Sequence, residues 1–264
     1  MRYRCIRIFS LLIGFLAINA SVAFAQNTKR GFKTLEKSDY QKSMEQFKSA
    51  LAENNDNAAA LLGLTLIMAD DSSSFFDLIG AWKYACQLKP LVEKFSAEEL
   101  EYIGEYFYNT ETRHISRPVK KKIEYALETV EAKLIKYVRE ENNLDVVYAV
   151  LKEFPDFRYY DNVIHIRNQL EFRKYEKQNT LEAYVTFIEK FPEAAQVEKA
   201  IRYRNRLAFD NARKINTVKA YEDYMDQYPD ADDINQAIKS LHKVAFGQAK
   251  TENTVQAFDR FIAS

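Results

Sequence analysis

A repeat of 37 residues is the feature of this 264-residue sequence that most restricts its fold. Four of the five prolines stand at this interval, and the residues around them recur in the later units. A period of about 20 to 50 residues is typical of solenoids, in which each unit buries its apolar face only against its neighbours. The recurring positions are Pro118/Pro155/Pro192/Pro229, Asn179/Asn216/Asn253, Thr180/Thr217/Thr254, Ala183/Ala220/Ala257, Tyr184/Tyr221/Phe258, Phe187/Tyr224/Phe261, Phe172/Phe209/Phe246 and Ala200/Ala237.

The composition of the repeats predicts helices rather than strands. Only five glycines follow residue 25, and no Asn-Gly or Asp-Gly dipeptide favours a β-hairpin. Long segments rich in Glu, Lys, Ala, Leu and Arg have apolar residues at helical spacing. We therefore expect an all-α fold, an α-solenoid of stacked antiparallel helix hairpins.

The unit at residues 216–252 shows how each repeat is built. Asparagine tolerates the left-handed conformation that closes a helix, and threonine caps the next helix, so Asn216 and Thr217 form a two-residue step. Pro229 ends the first helix, helix A, because proline cannot continue the hydrogen-bond ladder. The second helix, helix B, follows. The predicted inward residues are Val218, Tyr221, Tyr224, Met225 and Tyr228 on helix A and Ile234, Ala237, Ile238, Leu241, Ala245 and Ala249 on helix B.

Residues 29–64 have a different helical pattern. Tyr40, Met44 and Phe47 lie at i, i+4 and i+7, which places them on one face of a helix. A polar turn at residues 54–57 separates this helix from the next. Farther along the chain, Ser74 with Asp77, and Ser96 with Glu99, have the spacing of a capping box that opens a helix.

Part of this segment resembles a tetratricopeptide repeat. Asp39-Tyr40, Ser43, Phe47, Ala50-Leu51 and Asn57 look like its second helix and closing turn, although Ser43 replaces the usual alanine and Asn55 the usual proline. A weaker second unit follows at about residues 58–91. The resemblance implies tetratricopeptide-like hairpins over residues 26–95, and the repeat period predicts a 37-residue helical array over residues 96–264, with the last repeat incomplete. Because the last repeat lacks its helix B, we expect that the ancestral or complete protein continues beyond it.

The first 25 residues are typical of a signal peptide. Arg2, Arg4 and Arg7 precede an apolar core, and Ala23-Phe24-Ala25 has the pattern of a cleavage site. The apolar core is short for a membrane anchor. No cysteine stands directly after it, so lipid attachment is not predicted. We expect a periplasmic or secreted protein with no integral membrane segment after signal cleavage.

Charge and cysteine content restrict the remaining chemistry. Cleavage removes three arginines and no acid, so the mature chain has 35 basic and 38 acidic residues and a formal charge of −3. This balance gives no strong field for nucleic acid. Cys86 alone follows the signal peptide, so no intrachain disulfide is predicted. Its apolar surroundings indicate a buried side chain rather than a reactive thiol.

The sequence has no pattern typical of a catalytic or metal site. His114, His165 and His242 occupy different repeat positions, and none has a second ligand at helical spacing. The serines of residues 72–74 lack the context of an activated nucleophile and are interpreted as a loop. No glycine pair is present to form a phosphate cradle. We expect a protein that is not an enzyme and that has no cofactor or metal.

Three charged clusters are interpreted as solvated surface rather than ligand sites. The acidic cluster lacks the glycine and the distal glutamate of a calcium loop. Acids lie close to the basic clusters, and alternating residues diverge around a helix. The aromatic series that includes Tyr184 and Tyr221 is interpreted as core rather than as a ligand groove. The clusters are Asp230/Asp232/Asp233, Lys120/Lys121/Lys122 and Arg202/Arg204/Arg206.

The predicted function is that of a binding scaffold. The aromatic-proline helix end is similar to that of bacterial envelope repeat proteins that serve outer-membrane assembly and cell-wall coordination. This similarity implies a non-enzymatic scaffold that binds a protein or peptide on its helix-A side. The predicted solvent-facing positions of that side are Glu182, Val185, Thr186, Lys219, Glu222 and Asp223.

Two other functions are consistent with the same sequence. The chain fits the non-catalytic amino-terminal arm of a longer secreted hydrolase or peptidoglycan-binding protein, which sequence beyond Ser264 would reveal. It also fits a glycan-capturing protein, because some starch-binding outer-membrane lipoproteins are built on tetratricopeptide repeats. The missing lipid-attachment cysteine argues against the glycan-capturing protein.

Overall fold

The computed structural model describes residues 27–110 and 116–263. Helices joined by short turns make up this part of the chain, and it contains no strand, which confirms the all-α prediction. The predicted signal peptide and His114 lie outside the described residues. The described residues form two compact units, one within residues 27–142 together with 152–155 and one of residues 143–151 together with 156–263.

The first unit begins with helix α1 (27–35), in which Gly31 lies against Phe47 of the next helix. A Cβ at Gly31 or at Gly63 would clash with the ring of Phe47, so both positions require the smallest residue. Phe32 packs edge to face on the same ring, with centroids 5.1 Å apart. The other helices of the unit are α2 (Tyr40–Glu53), α3 (Ala58–Ala69), α4 (Leu78–Leu88), a 3-10 helix (Lys89–Lys94), α5 (Ala97–Thr110) and α6 (Val119–Glu141).

Two predicted helix starts have different outcomes. Ser96 and Glu99 form the predicted capping box before α5, with the Ser96 backbone N–H donating to the Glu99 carboxylate at 2.8 Å. The predicted start at Ser74 is wrong. Asp77 caps α4 instead, because its carboxylate accepts from the backbone N–H of Gly80 at 3.0 Å. Residues 72–74 lie in the turn before it, as predicted.

The prediction that Cys86 is buried is also wrong, since its side chain is exposed. Helix α4 buries Leu78, Ala81, Trp82, Ala85 and Leu88, which are three or four residues apart and share one face. Cys86 lies off that face, although its neighbours in sequence are apolar.

The second unit shows the 37-residue repeat in its backbone. Asn142 ends α6 in the first unit, and Asn179, Asn216 and Asn253 end helices of the second unit, all in the left-handed conformation with φ between 49° and 52°. The helices of this unit are α7 (Leu144–Glu153), whose last two residues belong to the first unit, α8 (Tyr160–Gln178), α9 (Leu181–Lys190), α10 (Val197–Ile215), α11 (Val218–Gln227), α12 (Ile234–Glu252) and α13 (Val255–Ala263).

Threonine completes each step between helices. Thr180, Thr217 and Thr254 accept hydrogen bonds from the backbone N–H groups of the alanines three residues later, at 3.1 to 3.2 Å. These bonds satisfy one of the orphan donors at each helix start. The predicted two-residue step is therefore confirmed at all three places.

Aromatic residues 37 positions apart in the recurring series are buried to the same extent wherever later helices of the chain cover them. Tyr184 and Tyr221 are 1% and 2% exposed, and each donates its phenolic O–H to the amide oxygen of the asparagine that ends the preceding helix. From α8 to α13, each helix packs against the next in the chain. Phe258 is only half-buried and Phe246 is 48% exposed, because no described helix follows α13.

We predict that Asn216→Ala destabilises the chain by about 1–3 kcal/mol. Alanine in the left-handed region costs about 1–2 kcal/mol, and the hydrogen bond from Tyr221 is lost as well. Asn216→Gly is the matched control, because glycine adopts the conformation freely and loses only the hydrogen bond. Urea unfolding followed by circular dichroism measures both variants. Equal stability of Asn216→Ala and the unchanged chain would contradict the account.

Candidate binding cavities in the second unit

A cavity of about 380 Å³ lies among α9, α10 and α11. We name it the α9–α11 cavity. Alanines of α10 form part of its lining, and Ile215, which is 64% exposed, lies at its edge. The lining residues are Leu181, Ala208, Asn211, Ala212, Ile215, Thr217, Lys219, Ala220, Asp223, Tyr224, Gln227 and Tyr228.

The preceding repeat explains why this cavity is open. One period earlier, Glu171 and Tyr175 stand at the positions of Ala208 and Ala212. Glu171 accepts a hydrogen bond from the hydroxyl of Tyr148 at 2.8 Å, and Tyr175 packs on Phe187 with centroids 5.9 Å apart. Replacing these two large side chains by alanines leaves the space unfilled.

A second cavity occupies the same place one period later. This α11–α13 cavity has a volume of about 180 Å³. Ala245 and Ala249 take the places of Ala208 and Ala212, and Val218 takes the place of Leu181. The two alanine cavities, as we name them together, therefore recur with the repeat. The lining residues of the second are Val218, Ala245, Gln248, Ala249, Glu252, Ala257, Arg260 and Phe261.

The cavity edges are charged, and their charges pair within the chain. Lys219 and Asp223 form an ion pair at 2.9 Å beside the α9–α11 cavity, and this hydrogen bond raises the pKa of Lys219. Arg260 pairs with Glu252 beside the α11–α13 cavity. The edges of both cavities therefore have charged side chains whose charges nearly cancel, while the alanines and other apolar residues form the floor of each cavity.

Most of the helix-A positions that were predicted to face solvent are exposed in the structure. Glu182, Lys219, Glu222 and Asp223 are exposed, and two of them, Lys219 and Asp223, line the α9–α11 cavity. Val185 and Thr186 are half-buried instead of fully exposed.

Tyrosine hydroxyls of the second unit differ in their hydrogen-bond partners. Burial and the neighbouring Glu171 carboxylate raise the pKa of Tyr148 to about 12. Burial followed by the charges of Asp233 and Asp232 raises the pKa of Tyr224 to about 12. The buried hydroxyl of Tyr224 has no hydrogen-bond partner among the described residues, unlike that of Tyr221.

An arginine-asparagine pair was missed by the sequence analysis. Arg204 donates to the buried Asn205 side chain at 2.8 Å and lies over the Tyr228 ring at 5.1 Å. Arg167 makes the same contacts with Asn168 and Phe191 one period earlier. The interpretation of Arg204 as solvated surface is wrong, since its side chain is half-buried. The Arg-Asn dipeptides at 37-residue spacing were the available signal.

The remaining predicted clusters lie apart from the alanine cavities. Lys120 pairs with Glu93 and Lys121 with Glu124, each at 2.6 Å, as expected of solvated charges. His165 and His242 are exposed. Within residues 27–110 and 116–263, no three acidic, histidine or cysteine side chains are placed to hold a metal ion.

No protein-family model matches the sequence, and no similar curated protein is found. Among the described helices, none has the length and apolar character needed to cross a membrane.

We predict that Tyr224→Phe leaves the stability unchanged or raises it by up to about 1 kcal/mol, because the buried hydroxyl costs desolvation without a hydrogen bond in return. Phenylalanine already occupies the equivalent position 187. Tyr221→Phe is the control and should lose about 1 kcal/mol, since its hydroxyl bonds Asn216. Thermal and urea unfolding compare the two. If Tyr224→Phe and Tyr221→Phe lose the same amount of unfolding free energy, the two hydroxyls do not differ in hydrogen bonding as described.

Proposed function

We propose that this chain is an exported, non-enzymatic repeat scaffold that binds a protein or peptide partner in the bacterial cell envelope. In this proposal its helices form an α-solenoid of tetratricopeptide-like hairpins and related 37-residue hairpins. The observation that supports binding is the pair of alanine cavities, which repeat at one period on the side that includes Lys219 and Asp223. The signal-like sequence at residues 1–25 supports export.

Repeated apolar cavities suit a repeated ligand. An extended peptide places side chains at regular intervals, and adjacent cavities on a helical scaffold take such side chains in turn. The smaller of the two, the α11–α13 cavity of about 180 Å³, has room for one aliphatic side chain. Burying apolar surface there supplies the binding free energy, at about 25 cal/mol per Å² before ordering costs are subtracted.

The edges of the cavities supply specificity. Ile215 and Asp223 at the first cavity correspond by position to Glu252 and Arg260 at the second. The floors are therefore alike in chemistry while the edges differ. A bound peptide would therefore place an apolar side chain in each cavity, and the polar residues next to that side chain would differ between the two cavities.

Site-specific photo-cross-linking in intact cells tests the proposal. A photoreactive amino acid at position 215, beside the α9–α11 cavity, should give a covalent adduct with a protein partner. The control is the same amino acid at Lys239, which is exposed on α12 and lines neither alanine cavity. Mass spectrometry of the adducts identifies what is captured at each position.

A second variant links the adduct to the cavity. Ala212→Tyr restores the residue type that fills the equivalent place at Tyr175, so the helical structure should persist while the cavity closes. We expect the adduct at position 215 to fall at least about tenfold, as for a loss of roughly 1.4 kcal/mol in binding. No protein adduct, or an adduct that persists in Ala212→Tyr with circular dichroism unchanged, would contradict the proposal.

A further inference from the structure

A larger cavity lies among α10, α11 and α12, with a volume of about 1060 Å³. We name it the α10–α12 cavity. It shares no lining residue with the α9–α11 cavity, and only Gln248 and Glu252 with the α11–α13 cavity. Polar side chains form much of its lining, so it differs in chemistry from the alanine cavities.

The equivalent place one period earlier is filled by the chain itself. Tyr203 packs edge to face on Tyr184 there, with centroids 5.5 Å apart. Lys199 forms an ion pair with Glu176 at 2.8 Å and lies 5.2 Å from the centre of the Tyr203 ring. An aromatic ring and an ion pair thus close the groove between α8 and α10.

Small side chains open the groove in the next repeat. Ser240 stands where the preceding repeat has Tyr203, and Gly247 stands where it has Asp210. A Cβ at Gly247 would meet no atom within 4 Å, so packing does not require glycine there. Glycine inside a helix is less stable than alanine, which makes this residue costly for folding alone.

The charges of the groove change together with its size. Gln236 and Arg213 stand at the positions of Lys199 and Glu176, so the ion pair across the groove is absent from this repeat. Arg213 pairs with Asp210 of its own helix at 3.3 Å, and Glu252 pairs with Arg260. Lys243 lines the cavity without an ion-pair partner in the described part of the chain. The groove therefore has an unneutralised positive charge.

We propose that the α10–α12 cavity binds a peptide segment of a partner protein through an aromatic side chain adjacent to a carboxylate. The aromatic ring takes the place that the Tyr203 ring occupies one period earlier, in the space bordered by Ser240, Val244 and Gly247. The carboxylate pairs with Lys243.

Solution NMR on the full chain labelled with nitrogen-15 tests this site. The probes are three blocked peptides, Ala-Ala-Tyr-Glu-Ala-Ala, its Ser-Glu analogue without the ring and its Tyr-Lys analogue without the carboxylate. Gly247 is one of only six glycines in the sequence, and its backbone amide reports directly on the cavity. We expect the Tyr-Glu peptide to shift this signal saturably and the two analogues to bind at least about tenfold more weakly.

Two variants separate this site from other surfaces. Ser240→Tyr refills the groove as Tyr203 does and should weaken binding of the Tyr-Glu peptide at least about tenfold. Lys243→Gln keeps the groove open and should abolish the preference for Tyr-Glu over Tyr-Lys. Lys239→Gln, on the same helix but outside the cavity, is the matched control and should change neither.

The outcomes distinguish this site from the alanine cavities. Ala212→Tyr closes the α9–α11 cavity and should leave the Gly247 titration unchanged, so loss of either function does not imply loss of the other. The proposal is overturned if no peptide shifts Gly247 saturably, if Ser240→Tyr binds like the unchanged chain, or if Lys243→Gln retains the preference for Tyr-Glu.

Discussion

The left-handed asparagine followed by a capping threonine is the constraint on which the second unit depends. One residue outside the helical region is enough to end a helix, and the next residue's side chain starts another. Asn179 and Asn216 also accept the hydroxyl hydrogen bonds of Tyr184 and Tyr221. The turn is therefore tied to the core of the following helix, and the same geometry recurs wherever these residues recur.

This fixed backbone frame lets side chains vary between repeats without a change of fold. Large residues fill the frame where Tyr175 and Tyr203 pack on neighbouring aromatic rings. Small residues at the equivalent positions, Ala212 and Ser240, leave cavities. Interiors of proteins are normally close-packed, so unfilled places at defined positions are the part of this structure that points to ligands.

Local features were predictable from the sequence because they depend on a few adjacent residues. The asparagine-threonine steps, the helix ends before proline and the capping box at Ser96 each follow from the conformational preference of one or two side chains. The tyrosine series was placed correctly in the core, since Tyr184 and Tyr221 share both spacing and burial. The same reasoning placed helix A and helix B of the later repeats.

Features that depend on several helices at once were not predictable. Cys86 lies in an apolar stretch, and only the packing of α4 decides which of its faces is buried. Ala245 and Ala249 were predicted to be inward residues, whereas Ala208 and Ala212 were not singled out. These four alanines leave cavities because of how the side chains of three helices pack around them. The spacing of residues along the sequence does not predict that packing.

Deletion of one whole period tests the central claim that residues 37 apart are equivalent. Removing residues 179–215 joins Gln178 to Asn216, so each remaining helix meets a neighbour of the same type. For this deletion we expect unchanged helicity per residue by circular dichroism and a single cooperative unfolding transition. Removing α10 alone, residues 197–215, should lower the helicity per residue and abolish the cooperative transition. If the full-period deletion unfolds the second unit as completely as the half-period deletion does, the equivalence of the repeats is contradicted.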